Sequence, residues 1–198
     1  NLEKTVEQSV RVLSQLVKSC EIIIIDDDSF DRTYQIAKRL EKKFTSVRVI
    51  KNSINLGQGI SFLIGLREAK GELVMQNGAD RPFNIKDLRE ILPFFPNNDI
   101  VVVARSNRSA YSFWRKFTSW GNIIFRWILF GREFSDLNFV QIYKRKVFKK
   151  IKVMSRSAAF VTQELVLKAK QMGYKITEIK LHYHKRFGGE AHHGKKRD

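Results

Sequence analysis

The 198-residue sequence has one cysteine, Cys20, and no uncharged apolar run approaching about eighteen residues. The first scarcity excludes a disulfide framework and suits a reducing compartment. The second leaves no segment that would cross a bilayer by itself. Internal repeats and low-complexity linkers are also missing, so the chain reads as one domain. Acidic side chains are scarce in one half only. Residues 1–100 carry 15 basic and 14 acidic groups, whereas residues 101–198 carry 22 basic and 6 acidic ones, so nearly all of the net +17 lies in the second half. A one-sided field implies an anionic partner: nucleic acid, a membrane surface or a phosphorylated substrate. Hydrophobic residues at 43% and aromatics at 12% exclude disorder for the bulk of the chain.

The first half alternates two periodicities. Apolar residues recur at helical spacing over Leu2 to Val17. Ile22-Ile23-Ile24-Ile25 is a β-branched run, the pattern of a strand buried on both faces. Helices are expected over Thr33 to Phe44, Gly57 to Ala69 and Ile85 to Leu92, with strands at Val47 to Ile50, Leu73 to Met75 and Asp99 to Ala104. This alternation predicts an α/β fold, a mostly parallel sheet flanked by helices. Ligands of such sheets lie at the carboxyl ends of the strands. The second half is expected to hold a long aromatic helix (Tyr111 to Phe130), a strand at Phe139 to Tyr143, a helix over Phe160 to Met172 and a strand at Tyr174 to Leu181.

Three segments at strand ends carry candidate chemistry. Asp26-Asp27-Asp28-Ser29-Phe30-Asp31 places four carboxylates in six positions, which core packing does not explain. Asp31 suits a helix cap. Asp26 and Asp27 precede that cap, where they can accept from a nucleobase N–H or a ribose hydroxyl. Asn55-Leu56-Gly57-Gln58-Gly59 offers glycines before a helix, where a backbone must come close to something. Met75-Gln76-Asn77-Gly78-Ala79-Asp80 ends in an acid that suits a turn, a cap or a hard oxygen ligand for Mg²⁺ or Mn²⁺.

The order of these segments resembles family 2 glycosyltransferases of the GT-A fold, above all the polyprenyl-phosphate sugar synthases. Asp26 to Thr33 matches that family's Asp-Asp-x-Ser-x-Asp-x-Thr strand end, Asn55 to Gly59 its Asn-x-Gly-x-Gly helix start, and Gly71 to Asp80 its stretch before Asp-x-Asp. Arg105, the pair Ser135-Asp136, Glu164, Gly173 to Ile179 and Arg186 to His192 follow in the family's order. The resemblance implies a Rossmann-like nucleotide-diphospho-sugar transferase spanning residues 1–198. Residues 1–105 would be its nucleotide-binding half and 106–198 its acceptor- and membrane-facing half. It implies an inverting, metal-assisted transfer of sugar from a nucleotide-sugar to a polyprenyl phosphate or related membrane acceptor. Asp26, Asp27, Gly78, Ala79, Asp80 and Arg105 would contact the donor. Asp80 would hold Mg²⁺ or Mn²⁺, Glu164 would serve the acceptor side, and Arg115, Arg186 and His192 would meet phosphate. The expected setting is the cytoplasmic face of a membrane.

The sequence also departs from the family. Gly78 replaces the first acid of Asp-x-Asp, Pro82 replaces a Gln, Ala191-His192 replaces Ser-Lys, and Asn138-Phe139-Val140 replaces a Gly-containing turn. The family's opening strand and Pro-x-Tyr-Asn-Glu motif are not in this sequence, so the chain is expected to be a fragment of a longer protein. In the second half, Phe113, Phe117, Trp120, Ile124 and Trp127 share one helical face flanked by Arg115, Lys116 and Arg126. That face suits either a core-packing helix or an interfacial one entering an anionic headgroup region. Two further readings stand beside transfer. One is a weakened relative that binds nucleotide without efficient turnover, motivated by Gly78 and Pro82. The other is a nucleic-acid-binding module, motivated by the charge alone. The acidic strand end has the wrong sign for a phosphate backbone, and no nucleic-acid motif is present.

Overall fold

The computed structural model describes residues 1–79, 83–106, 134–137 and 139–181. The elements in chain order are α1 (Leu2–Leu16), β1 (Ile22–Asp26), α2 (Thr33–Lys43), β2 (Val47–Lys51), α3 (Gln58–Glu68), β3 (Leu73–Met75), a short 3₁₀ turn (Ile85–Asp87), α4 (Leu88–Ile91), β4 (Ile100–Arg105), β5 (Val140–Lys144), α5 (Lys146–Lys150), α6 (Ala158–Gln171) and β6 (Ile176–Leu181). The expected helix over Ile85 to Leu92 is broken into 3₁₀ and α pieces. A second 3₁₀ turn, Leu92–Phe94, carries Pro93 within it, and proline removes the donor that a continuing helix needs. The expected helix over Tyr111 to Phe130 lies outside the described residues.

The strands form two sheets. β1 and β2 pair in parallel, with Ile22 opposite Val47 and Asp26 opposite Lys51. The other sheet has the order β3-β5-β4-β6. There β5 runs antiparallel to both neighbours, and β4 runs parallel to β6. The α/β architecture is as expected, but the larger sheet is mixed rather than mostly parallel. A strand's direction is set by where its connection delivers the chain, and local hydrophobic pattern does not carry that information.

Period-2 alternation places helices on both faces of the larger sheet. Ile100 and Val102 of β4 pack with Val161, Leu165 and Ala169 of α6 and with Phe62 and Leu66 of α3. Val101 and Val103 face the other way, onto Val12 of α1 and onto Ile85, Leu88 and Ile91. Helix α1 bridges the two sheets. Its Val6 joins Ile24, Ala37, Leu40 and Val47 in the core of the smaller sheet, while Val12, Leu13 and Leu16 serve the larger one.

Among the described residues no backbone ladder joins β1 to β3. Side chains do so instead. The Glu21 carboxylate, just ahead of β1, accepts the amides of Lys70 and Gly71, just ahead of β3. At the other end the Thr5 hydroxyl of α1 donates to the Ala79 carbonyl at 2.9 Å. The amino ends of β1 and β3 are therefore neighbours, and the carboxyl ends of β1, β2, β3 and β4 lie along one edge. Among the described residues no helix is long and apolar enough to cross a membrane.

Candidate functional site

The carboxyl edge is built from the turn after β1. Asp26 is 2% exposed. Its carbonyl accepts the Asn52 amide at 2.9 Å, which extends the β1–β2 ladder by one rung. Of its carboxylate oxygens, Oδ2 takes the Ser29 amide at 3.4 Å, and Oδ1 is sealed from solvent with no partner among the described residues. Asp28 then turns the chain with φ of +59°, a left-handed conformation that a short polar side chain tolerates better than most. Asp31 accepts the Thr33 amide at 2.9 Å and starts α2, as its position suggested.

Asp27 is committed elsewhere. Its Oδ1 accepts from Asn52 Nδ2 at 2.8 Å and from the Leu56 amide at 2.9 Å, and its Oδ2 accepts the Gly57 amide at 2.8 Å. Asn52 Nδ2 also donates to Ser61 Oγ at 3.0 Å. Burial pushes the Asp27 carboxyl up, but the hydrogen bonds from Asn52, Leu56, Ser61 and Gly57 outweigh it and hold the group below its ordinary range. Both oxygens expected to read a nucleobase thus fix the loop before α3. Of Asp26 and Asp27 it is Asp26 that keeps a buried carboxylate oxygen without a partner among the described residues.

The glycines of that loop serve geometry. Gly57 sits at φ +85°, which L side chains rarely adopt. At Gly59 a Cβ would collide with the Arg156 carbonyl. The first turn of α3 therefore lies directly against the backbone before α6.

Glu164 holds this second loop. Its carboxylate accepts the amides of Met154 at 2.8 Å and Ser155 at 2.7 Å, and Lys168 Nζ at 2.6 Å. Burial opposes its ionisation, yet these donors bring its pKa down to about 2. The residue expected on the acceptor side is thus the anchor of the loop that α3 touches.

Arg105 ends β4 and is tied in place. Its Nε and Nη2 donate to Asp136 Oδ2 at 2.6 Å and Oδ1 at 3.2 Å, a bidentate pair. Its guanidinium also lies 5.3 Å from the centre of the Phe139 ring. Ser135 gives both its amide and its hydroxyl to Glu178 on β6, each at 2.6 Å. The expected Arg and Ser-Asp motif residues are thus brought together, although 30 residues lie between Arg105 and Asp136 in the sequence.

Beyond β3, Gly78 is half-buried and Ala79 exposed, and the Ala79 carbonyl takes the Thr5 hydroxyl. Asn77 Nδ2 donates to the Phe83 carbonyl at 3.3 Å, and its Oδ1 is buried without a partner among the described residues. Asp80, Arg115, Arg186 and His192 lie outside the described residues, as does Pro82. Among the described residues no group of three or more His, Cys, Asp or Glu could hold a metal ion.

The sequence profile of glycosyl transferase family 2 matches residues 1–169. The chain belongs to that family. It is similar to dolichyl-phosphate beta-glucosyltransferase ALG5A of Trichomonas vaginalis, 24% identical over 170 residues that cover 80% of this chain and 52% of that protein. It is also similar to dolichol-phosphate mannosyltransferase of Pyrococcus furiosus, 29% identical over 129 residues covering 63% and 36% of the two. The chain spans between about a third and just over a half of the length of these relatives. Among solved structures, glucosyl-3-phosphoglycerate synthase of Mycobacterium tuberculosis, in complex with Mn²⁺, UDP-glucose and phosphoglyceric acid, superposes with a TM-score of 0.68. That match has 16% identity and covers 96% of this chain and 69% of that one. This likeness shows the fold, that of GT-A glycosyltransferases.

Within this family 2 domain the sequence reading missed Asn52 and Ser61, and named Asn77 only as part of the segment after β3. Asn52 and Ser61 are buried polar residues at 6% and 7% exposure. The only trace they leave in sequence is an Asn directly after a strand and a Ser on the inner face of a glycine-started helix.

Proposed function

We propose that this family 2 domain transfers a sugar from a nucleotide-sugar to a polyprenyl phosphate, with inversion, at the cytoplasmic face of a membrane. One observation carries the donor half of the reading. The two buried side-chain acceptor oxygens without a partner among the described residues, Asp26 Oδ1 and Asn77 Oδ1, both lie at strand carboxyl ends on one edge. Buried polar atoms are rarely left unpaired, and a nucleobase N–H and a ribose hydroxyl would supply the missing donors once the edge opens to admit them. The relatives named for dolichyl and dolichol phosphate support the acceptor.

Each residue's part follows from its contacts. Asp26 binds the donor, and Asn77 lines the same edge. Asp27 and Glu164 keep the loops at residues 52–57 and 151–157 in place, so substrates meet a preformed surface. Arg105, with Asp136 behind it, gives a fixed positive charge near the diphosphate. A phosphate acceptor is already ionised at neutral pH, so strong general-base help is not required. Its oxygen attacks the anomeric carbon as the bond to the nucleoside diphosphate breaks. That single displacement inverts the centre, and the electron pair leaves with the diphosphate. By the family resemblance alone, Arg115 and Arg186 would supply cations, and His192 an N–H donor, for the acceptor phosphate.

The carboxylate of Asp80 is a hard oxygen donor of the kind a divalent cation takes when most of its ligands come from diphosphate and water. Asp80 would hold Mg²⁺ or Mn²⁺, ions present in complexes of the structural neighbour, and the ion's chemistry would be Lewis-acid neutralisation of the departing diphosphate. The test is transfer of labelled sugar from a panel of nucleotide-sugars to polyprenyl phosphate with Mg²⁺ or Mn²⁺. Transfer from at least one donor is expected. No transfer together with no nucleotide binding sinks the proposal. A second reading, nucleotide binding without turnover, is favoured by Gly78 in place of an acid. Binding that is unchanged in Asp80→Ala, with no transfer, would establish it.

A further inference from the structure

Six large hydrophobic side chains are exposed among the described residues, and four of them gather on one rim. Phe30 is 87% exposed, Ile54 61%, Met154 70% and Phe160 51%. Phe30 follows β1 and Ile54 follows β2, and these strands are parallel neighbours, so both tips leave the same edge. The loops are tied together by Asp27, which accepts the Leu56 and Gly57 amides. Met154 and Phe160 flank the stretch whose Arg156 carbonyl and Ala158 amide crowd Gly59 in the first turn of α3, the helix that starts from the Ile54 loop. Three contacts thus bring two strand-end loops and the first turn of α6 to one side of the molecule.

The rim is also cationic. Arg32, Lys51 and Arg156 are exposed on it. Its acids are Asp28, half-buried, and Asp31, whose carboxylate accepts the Thr33 amide and keeps its charge, so the three cations outnumber the two anions. Isolated exposed apolar residues are ordinary, but a cluster rimmed by polar residues marks an interaction surface. Apolar tips within a basic surround fit the boundary between the acyl chains and anionic headgroups of a bilayer.

We propose that the Phe30, Ile54, Met154 and Phe160 rim docks the domain on an anionic lipid surface. The inference rests on the proposed function and deepens it: an enzyme whose acceptor is anchored in a bilayer must carry its site to that surface, and this rim borders the edge that holds Asp26.

The test is co-sedimentation with vesicles of phosphatidylcholine, alone or mixed with phosphatidylglycerol. The wild-type protein is expected to sediment with the anionic vesicles and weakly with the neutral ones. Phe30→Ser with Ile54→Ser, and separately Met154→Ser with Phe160→Ser, should each lower the partition coefficient by about tenfold. Arg32→Glu with Arg156→Glu should remove the preference for anionic vesicles without touching the apolar tips, and so answers the question even if an apolar variant fails to fold. Met172→Ser is the control. Met172 is 50% exposed but lies at the far end of the 14-residue α6, about 20 Å away at 1.5 Å per residue, and its variant should sediment like the wild type. The inference is overturned if the wild type ignores anionic vesicles, if all rim variants bind as it does, or if Met172→Ser loses as much. Transfer to a short, water-soluble polyprenyl phosphate separates this outcome from failure of the proposed function. Transfer by the wild type alongside rim-independent sedimentation refutes only the docking surface, and rim-dependent sedimentation without transfer refutes only the reaction.

Discussion

Replacing Glu164 by Gln asks whether this carboxylate works by holding a loop or by touching substrate. In the structure it accepts two amides, Met154 and Ser155, and the Lys168 ammonium. Glutamine keeps one oxygen for one amide and turns an NH₂ toward the other. The carboxyl has a pKa of about 2 against an ordinary 4.5, which by linkage corresponds to about 3 kcal/mol of stability at neutral pH. Its partly solvated position screens the charges and reduces this to about 2 kcal/mol. In a domain of this size that shifts the thermal midpoint by roughly 4–8 °C. The sign follows from a depressed acid. The stabilisation is complete above about pH 4.5 and is lost as pH falls from 4.5 toward 2. Wild type and Glu164→Gln should therefore differ in urea or thermal unfolding at pH 7 and converge as the solution is acidified through that window. Equal midpoints at pH 7 would refute the loop-holding role. A variant as stable as the wild type but unable to transfer sugar would instead place Glu164 against the substrate.

Other substitutions address the remaining contacts. Gly59→Ala should destabilise by about 1–3 kcal/mol, because the obstacle is the Arg156 carbonyl and not a movable side-chain end. Gly65→Ala, where a Cβ would meet Ile25 at an ordinary 3.6 Å, should be neutral or stabilise by up to about 1 kcal/mol; chemical denaturation of the pair checks both. Asp26→Asn should weaken nucleotide binding at least about tenfold by calorimetry, the loss of a charged acceptor in a buried site, while leaving the thermal midpoint within a few degrees. Arg105→Ala removes a bidentate pair from the carboxylate of Asp136, 2% exposed, and should cost about 1.5–3 kcal/mol of stability. The double variant with Asp136→Ala should recover part of that loss.

The sequence showed where the elements lie more readily than how they are joined. Leu73 to Met75 is a strand as expected, and α1, α2, β2, α3, β4 and α6 fall within two residues of their expected bounds. Such boundaries are written locally, in periodicity, glycine and strand-end acids. The insertion of β5 between β3 and β4 was not legible, because it depends on contacts between residues dozens of positions apart. The acids at 26–28 were legible as candidates from their place after a strand. Which of them keeps an oxygen without a partner among the described residues was not, because Asp27 finds its partners at Asn52, Leu56 and Gly57 only after β1 and β2 have paired. Glu164 was ambiguous for a similar reason: a lone acid on a late helix looks the same in sequence whether it points at substrate or at two amides nine and ten residues upstream.

The missing ladder between β1 and β3 has a mechanical side. Strands that share backbone hydrogen bonds move as one plate, whereas those joined by side chains can slide and tilt. Here the joint is the Glu21 carboxylate at one end, the Thr5 hydroxyl at the other and α1 laid across both sheets. Asp26 rides on the smaller plate and Asn77 on the larger. Among the described residues the spacing of these two oxygens is therefore set by the Glu21 and Thr5 contacts and by the packing of α1, and not by a shared backbone rung.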